Sequence, residues 1–152
     1  MNGRIKVLQR LKGVRKRMRD VAVAHAADAA RRHEEAESVR WAKDEEKSAV
    51  LESATTRLSG DVAPRQFDLF ERERMLATAA LDGAVAFAQE RQRQAEVADS
   101  LARLKARDFK RAERVLERAI TQQKKDELRT EQKNHDELAA TLGARGLHES
   151  SE

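Results

Sequence analysis

Apolar residues recur at helical spacing along most of this chain, in two stretches that a single break separates. In the first stretch the apolar positions are Leu8, Leu11, Val14, Met18 and Val21. In the second they are Val97, Leu101 and Leu104, followed by Ala112, Val115/Leu116 and Ala119/Ile120. Because residues three and four apart lie on one face of a helix, the pattern predicts two amphipathic helices.

The break lies at residues 59–64 and contains Pro64, the only proline of the chain. Proline cannot donate the amide hydrogen bond of a helix interior, and it disfavours the helical conformation at Ala63 before it. Gly60 readily adopts the left-handed conformation that ends helices. We therefore expect helix 1 at about 4–58, a turn at 59–64 and helix 2 at about 64–142. The predicted fold is an all-α, antiparallel two-helix coiled-coil hairpin whose second helix is the longer.

If the chain folds back near Asp61, residues at equal sequence distances before and after that point lie opposite each other. Several of the resulting pairs combine a small residue with a large one. The expected pairs are Ala22 with Leu101, Ala26 with Val97, Ala36 with Phe87, Val39 with Ala84, Val14 with Phe109 and Leu8 with Val115. Such alternation allows two helices to interdigitate closely.

The composition argues against a globular enzyme. Charged residues make up 38% of the chain and aromatic residues 3%, and the mean hydropathy is −0.81, which suits exposed helices better than a thick core. The sequence has no cysteine, no glycine-rich phosphate loop and no membrane-length apolar run. The four histidines are far apart. We therefore expect a cytoplasmic protein without catalytic, cofactor or metal residues and without a small-molecule substrate.

Positive charge is concentrated at the end of the hairpin where the termini lie. Residues 1–20 hold eight Lys or Arg against Asp20 alone, whereas residues 21–100 carry a net negative charge. The cations that we single out are Arg10, Arg15, Lys16 and Arg17. They predict an electrostatic docking surface for a protein, with nucleic acid as the less favoured alternative because no aromatic residues lie between them.

The predicted fold leaves the last part of helix 2 without an intramolecular partner, because Met1 faces Gln122. Residues 123–142 still have helical spacing, with Leu128, Leu138 and Leu142 as their large apolar side chains. A solitary polar helix is marginal in water, so we expect this segment either to fray or to be held by another protein. Gly143 is predicted to end the helix, and residues 143–152 to form a flexible tail.

The few aromatic residues lie mostly near the turn. Phe67 and Phe70 share a helical face, and Trp41 belongs to the same half of the hairpin. They predict either an anchoring patch for a partner or a cap on the closed end of the helix pair.

These residues resemble a family of bacterial export proteins. The basic start contains Ile5, Leu8 and Leu11 at spacings of three, Gln66-Phe67 follows the turn, and the second helix is long and charged. In this respect the whole chain is similar to the FliJ/YscO stalk proteins of flagellar and type III secretion systems.

The resemblance implies a helical stalk that binds and regulates a hexameric export ATPase and links it to an export-gate membrane protein. It implies a location in the cytoplasm, peripheral to the inner-membrane export apparatus, and secretion chaperones as further partners. A structural coiled-coil scaffold and a basic nucleic-acid-binding coiled coil remain alternatives. In the stalk interpretation the cations and the terminal leucines dock the ATPase, and the aromatic residues contact the gate.

Overall fold

The computed structural model describes residues 3–149, with side chains up to residue 142. This part of the chain contains two α-helices and no strand: α1 runs from Gly3 to Arg57 and α2 from Pro64 to Glu149. Alanine, arginine, glutamate, glutamine and lysine favour this state, because they lose little conformational freedom in a helix. The protein is therefore all-α, as the sequence predicts.

The connection between the helices is short, and three backbone hydrogen bonds lie at its two ends. At the end of α1 the Leu58 amide donates to the Ala54 carbonyl, at 2.8 Å. The Ala63 carbonyl accepts from the Gln66 and Phe67 amides and thereby opens α2. Pro64 is the first residue of α2, where its missing donor costs nothing.

Two details of the predicted helix ends are wrong. No described glycine has a positive φ, so Gly60 does not end α1 through a left-handed conformation. Furthermore, α2 does not stop at Gly143 but continues to Glu149. A helical glycine costs about 1 kcal/mol relative to alanine, which weakens a helix without terminating it, and α1 and α2 also continue through Gly13 and Gly83. Residues 150–152 of the predicted tail lie outside the described residues.

The described residues divide into two compact units. The terminal unit comprises Met1–Arg17 and Ala106–Glu152, and the central unit comprises Met18–Lys105. Each unit contains a segment of both helices.

Alanine dominates the buried positions. The buried residues are Ile5, Ala22, Ala36, Ala54, Ala88, Ala98, Ala102, Ala112 and Leu116. In α1 the buried and half-buried positions include an unbroken stripe from Ile5 to Ala54 with alternate spacings of three and four, and α2 has such a stripe from Arg74 to Gln123. A sustained 3.5-residue period is typical of a helix face that packs against another helix.

Most of the large residues that the sequence pattern placed in this seam are exposed instead, whereas Leu8 and Phe109 are half-buried members of the stripes, as the pattern predicts. Val14, Val39, Phe87, Val97 and Leu101 all lie at least 46% exposed. On α2 the buried residue is the alanine that follows each of three predicted ones: Ala88 follows Phe87, Ala98 follows Val97 and Ala102 follows Leu101. Small side chains bring helix backbones close together, and the larger neighbours then lie outside the contact.

Candidate partner-binding surfaces

The predicted cation cluster of the terminal unit is divided between different faces of α1. Arg15 is half-buried, and its Nη1 lies 3.3 Å from Oδ2 of Asp108 on α2. Arg10 and Arg17 are exposed and seven residues apart, so they share a face, whereas Lys16 is exposed about 100° around the helix from Arg17. Arg15 therefore serves the packing of the two helices, and the other three cations are accessible.

A second cation of α1 strengthens this packing. Nζ of Lys12 lies 2.7 Å from Oε1 of Glu113 and 5.8 Å from the centre of the Phe109 ring. Both side chains of the ion pair are about one-third exposed, so water screens the pair only in part.

The end of α2 is accessible over its whole described length. Every side chain from position 124 to 142 is exposed, and the predicted leucines are among the most exposed of the large apolar residues: Leu128 at 65%, Leu138 at 60% and Leu142 at 62%. Where α1 begins, Arg4 and Ile5 line a groove together with α2 residues from Val115 to Glu131. None of the three leucines lines this groove.

The three aromatic residues do not form one patch. Trp41 is 60% exposed, carries the Arg40 guanidinium 5.0 Å from its ring centre, and lines a groove with Leu81 and Val85. Phe70 is half-buried in a different groove, beside Ala54. Phe67 is 51% exposed and lines neither groove. Phe70 thus packs near the connection, and two separate aromatic side chains remain accessible.

A groove in the central unit lies between segments of both helices and is lined by charged and apolar side chains. His25, Asp28 and Arg32 line it from α1, and Val97 and Leu101 are among its lining residues from α2. A hydrogen bond from Arg31 lowers the pKa of the Asp28 carboxyl, and the nearby charge of Arg32 acts in the same direction. Asp28 therefore keeps its negative charge to lower pH than an isolated aspartate.

Sequence reasoning assigned to the packed face of the helices a set of large apolar residues that form a second, exposed stripe beside the buried one. In the terminal unit, Val7, Leu11 and Val14 of α1 and Val115 of α2 are exposed, and each directly precedes a position of the buried stripe. In the central unit five further large apolar residues are exposed and directly precede a position of the buried stripe: Met18, Val21, Val97, Leu101 and Leu104. The sequence contains two adjacent stripes of positions with the same 3.5-residue period. One stripe consists of large apolar residues, and the other is rich in alanine and cations.

The described residues contain no group of three or more His, Cys, Asp or Glu side chains arranged to hold a metal ion. None of their helical segments combines the length and the hydropathy that a membrane span requires.

Neither a model of a known protein family, nor a curated protein, nor a solved structure matches this chain.

Proposed function

We propose that α1 and α2 pair as an antiparallel coiled-coil hairpin. In the terminal unit, the ion pairs Arg15–Asp108 and Lys12–Glu113 support this, because stepping back along α1 corresponds to stepping forward along α2. In the central unit, Arg57 lies 3.6 Å from Glu73, Trp41 shares a groove with Leu81 and Val85, and residues 25–32 share one with residues 90–101. Each unit thus has the order of contacts that an antiparallel pair requires.

On this basis we propose that the protein is the stalk and coupling protein of a type III protein export apparatus. It binds and regulates the hexameric export ATPase and links it to the export gate. The observation that carries the proposal is the difference in helix length. α2 has 86 residues against 55 in α1, and its side chains at 124–142 are all exposed. A helix end without an intramolecular partner is available to enter a ring-shaped partner.

The coupling needs no catalytic residue in the stalk. A single asymmetric helix pair inside a six-fold ring contacts the subunits unequally, so it favours different nucleotide states in different subunits through differential binding. The exposed Arg10, Lys16 and Arg17 supply the charge that attracts an acidic ATPase surface, with Leu128, Leu138 and Leu142 as apolar contacts. In this function the protein acts in the cytoplasm at the inner-membrane export apparatus.

In this proposal the aromatic residues of the central unit contact the export gate. Trp41 and Phe67 are the accessible members, and Phe70 supports the connection from its half-buried position. Exposed aromatic side chains are frequent anchors of protein interfaces. Secretion chaperones are additional partners in this proposal.

The second apolar stripe supports one other function, that of a self-associating structural scaffold. Exposed large apolar residues at heptad spacing are suited to packing against further helices. A scaffold would form stable oligomers on its own, whereas a stalk functions as one copy in a ring.

The test is deletion of residues 123–152, compared with deletion of 143–152 as a matched control. Both proteins should retain helicity, because the ion pairs and the buried residues lie before position 123. We expect the longer deletion to abolish stimulation of the cognate hexameric ATPase and the shorter one to preserve most of it. Equal stimulation by the protein lacking 123–152 and by the full chain would show that the stalk assignment is wrong.

A further inference from the structure

One face of the terminal unit is apolar although it is exposed. Val7, Leu11 and Val14 of α1 are 63%, 42% and 49% exposed, and Val115 of α2 is 46% exposed. We refer to these four residues as the apolar face. Spacings of four and three place the α1 residues in one row. Arg4, three residues before Val7 in that row, lines a groove with Val115, so both helices contribute to one surface.

Arginine surrounds the apolar face. Its exposed neighbours are Arg10 and Arg17 on α1 and Arg107, Arg111, Arg114 and Arg118 on α2. We refer to these six residues as the arginine rim. In the structure described, none of the six lies in an ion pair. Asp108 belongs to the same row of α2 as Arg111 and Val115, but its carboxylate is engaged by Arg15. The rim therefore presents several guanidinium groups, and the carboxylates of Asp126, Glu127 and Glu131 line the groove that Val115 and Arg118 share at one end of this surface.

We propose that the apolar face and the arginine rim bind an acidic amphipathic α-helix of a partner protein. Leucine or isoleucine side chains of that helix, repeating at three and four residues, would cover the four apolar residues. Its glutamate or aspartate side chains would flank that row and meet the rim, where a guanidinium can hold a carboxylate through two parallel hydrogen bonds. The result is a third helix alongside the existing two in this unit.

Charge decides between this occupant and the other candidates. A second copy of the same face would bring one arginine rim against another, which like-charge repulsion opposes. A nucleic acid would satisfy the arginines and leave the valines and Leu11 in water. An anionic bilayer could accept both features, so it is the competitor that the experiment must exclude.

The proposal deepens the proposed function, because Arg10 and Arg17 belong to the segment assigned to ATPase docking. It rests on that function only for the source of the helix. The chemistry of the docking follows from the terminal unit itself, so the two proposals can fail separately.

The experiment measures binding of the full chain to a fluorescent synthetic helix with leucine at heptad spacing and glutamate at the flanking positions. A matched peptide carries glutamine in place of glutamate. We expect saturable binding of the acidic peptide, loss of affinity with added salt, and binding of the glutamine peptide at least about tenfold weaker, since the rim charges then lack partners.

Two substitutions locate the binding surface. Leu11→Gln should weaken binding of the acidic peptide about tenfold or more, as truncation of a central anchor does. The control Leu51→Gln changes a leucine of the central unit that is 41% exposed, much like Leu11, and should leave the affinity unchanged. Arg111→Gln with Arg118→Gln should slow association and flatten the salt dependence, whereas Arg72→Gln with Arg93→Gln in the central unit should not.

Several results would overturn the proposal. These are the absence of peptide binding, equal binding of the glutamine peptide, an unchanged affinity in Leu11→Gln with helicity intact, or tighter binding to anionic phospholipid vesicles than to the acidic peptide. Dimerisation of the free chain that Leu11→Gln abolishes would assign the face to a second copy instead. If the acidic peptide binds through Leu11 while the protein lacking 123–152 still stimulates the ATPase, the docking is supported and the stalk assignment fails.

Discussion

The central and terminal units hold their helix segments with different residues. In the central unit every buried residue is an alanine: Ala22, Ala36, Ala54, Ala88, Ala98 and Ala102. In the terminal unit the buried set is Ile5, Ala112 and Leu116, and the ion pairs Lys12–Glu113 and Arg15–Asp108 join the two helices. The central unit thus depends on close approach of small side chains, and the terminal unit on larger apolar groups and opposite charges. The stability of the central unit should therefore fall when a buried side chain is enlarged. The stability of the terminal unit should fall when a buried side chain is truncated or when salt screens the ion pairs.

The largest effect is expected from Leu116→Ala in the terminal unit. Leu116 is 7% exposed, so its truncation removes buried apolar surface and leaves a cavity. We expect the free energy of unfolding to fall by about 2 to 3 kcal/mol. Denaturant titration followed by circular dichroism measures it. Leu128→Ala, which truncates a 65% exposed leucine of the same unit, should change this free energy by less than about 0.5 kcal/mol. Similar losses in both variants would contradict the packing assigned to Leu116.

A smaller loss should follow from adding volume to the central unit. Ala36 is 2% exposed, and Ala36→Leu would force the two helix segments apart. We expect a cost of about 1 to 2 kcal/mol in the same titration, because overpacked sites rarely relax without strain. The matched control is Ala27→Leu on the exposed side of α1, where the expected change is within about 0.5 kcal/mol. A neutral or stabilising Ala36→Leu would mean that the helices do not approach closely at this position.

The smallest effect concerns the ion pairs of the terminal unit. A double-mutant cycle on Lys12 and Glu113 should give a coupling energy of about 0.5 to 1 kcal/mol at low salt, which shrinks in high salt because the pair is only partly shielded from water. The more exposed Arg57–Glu73 pair of the central unit, at 3.6 Å, should show almost no coupling. Equal coupling energies for the two pairs, or a coupling energy for Lys12 and Glu113 that salt does not change, would show that ion pairs do not distinguish the two units.

Sequence alone predicted the helices well and their packing less well. The composition and Pro64 were sufficient for two helices and for the start of α2. The predicted burial of Ala22, Ala36 and Leu116 is confirmed. On α2 of the central unit the seam was misplaced, because hydrophobicity ranks Leu101 or Val97 above the alanine that follows, whereas close helix packing selects the smaller side chain. Arg15 occupies a half-buried position because its apolar stem packs while its guanidinium reaches Asp108, a role that a hydropathy pattern does not detect.

The candidate surfaces show the same limit. Accessibility of Leu128, Leu138 and Leu142 followed from counting residues along the predicted hairpin. Helix geometry alone separates Arg15, Lys16 and Arg17 by about 100° from one to the next, but which of the three packs against α2 depends on the position of the seam. The sequence predicts one patch or cap containing Trp41 and Phe70 because both lie in the half near the turn, but they line separate grooves.

The antiparallel pairing of α1 with α2 is tested most directly by distances between spin labels. The described residues include no cysteine, so labels can be placed at single introduced cysteines. Positions 35 and 90 of the central unit are exposed and lie close together in the proposed pairing, whereas positions 35 and 57 are about 33 Å apart along α1.

We predict a short distance between labels at 35 and 90, set by an interaxial separation of about 8–10 Å and the arms of the labels. The 35/57 pair should give a distinctly longer one, and proteins with a single label should give no dipolar signal. A long distance between 35 and 90, or a strong signal from the protein labelled at 35 alone, would contradict the intramolecular antiparallel pair on which the account depends.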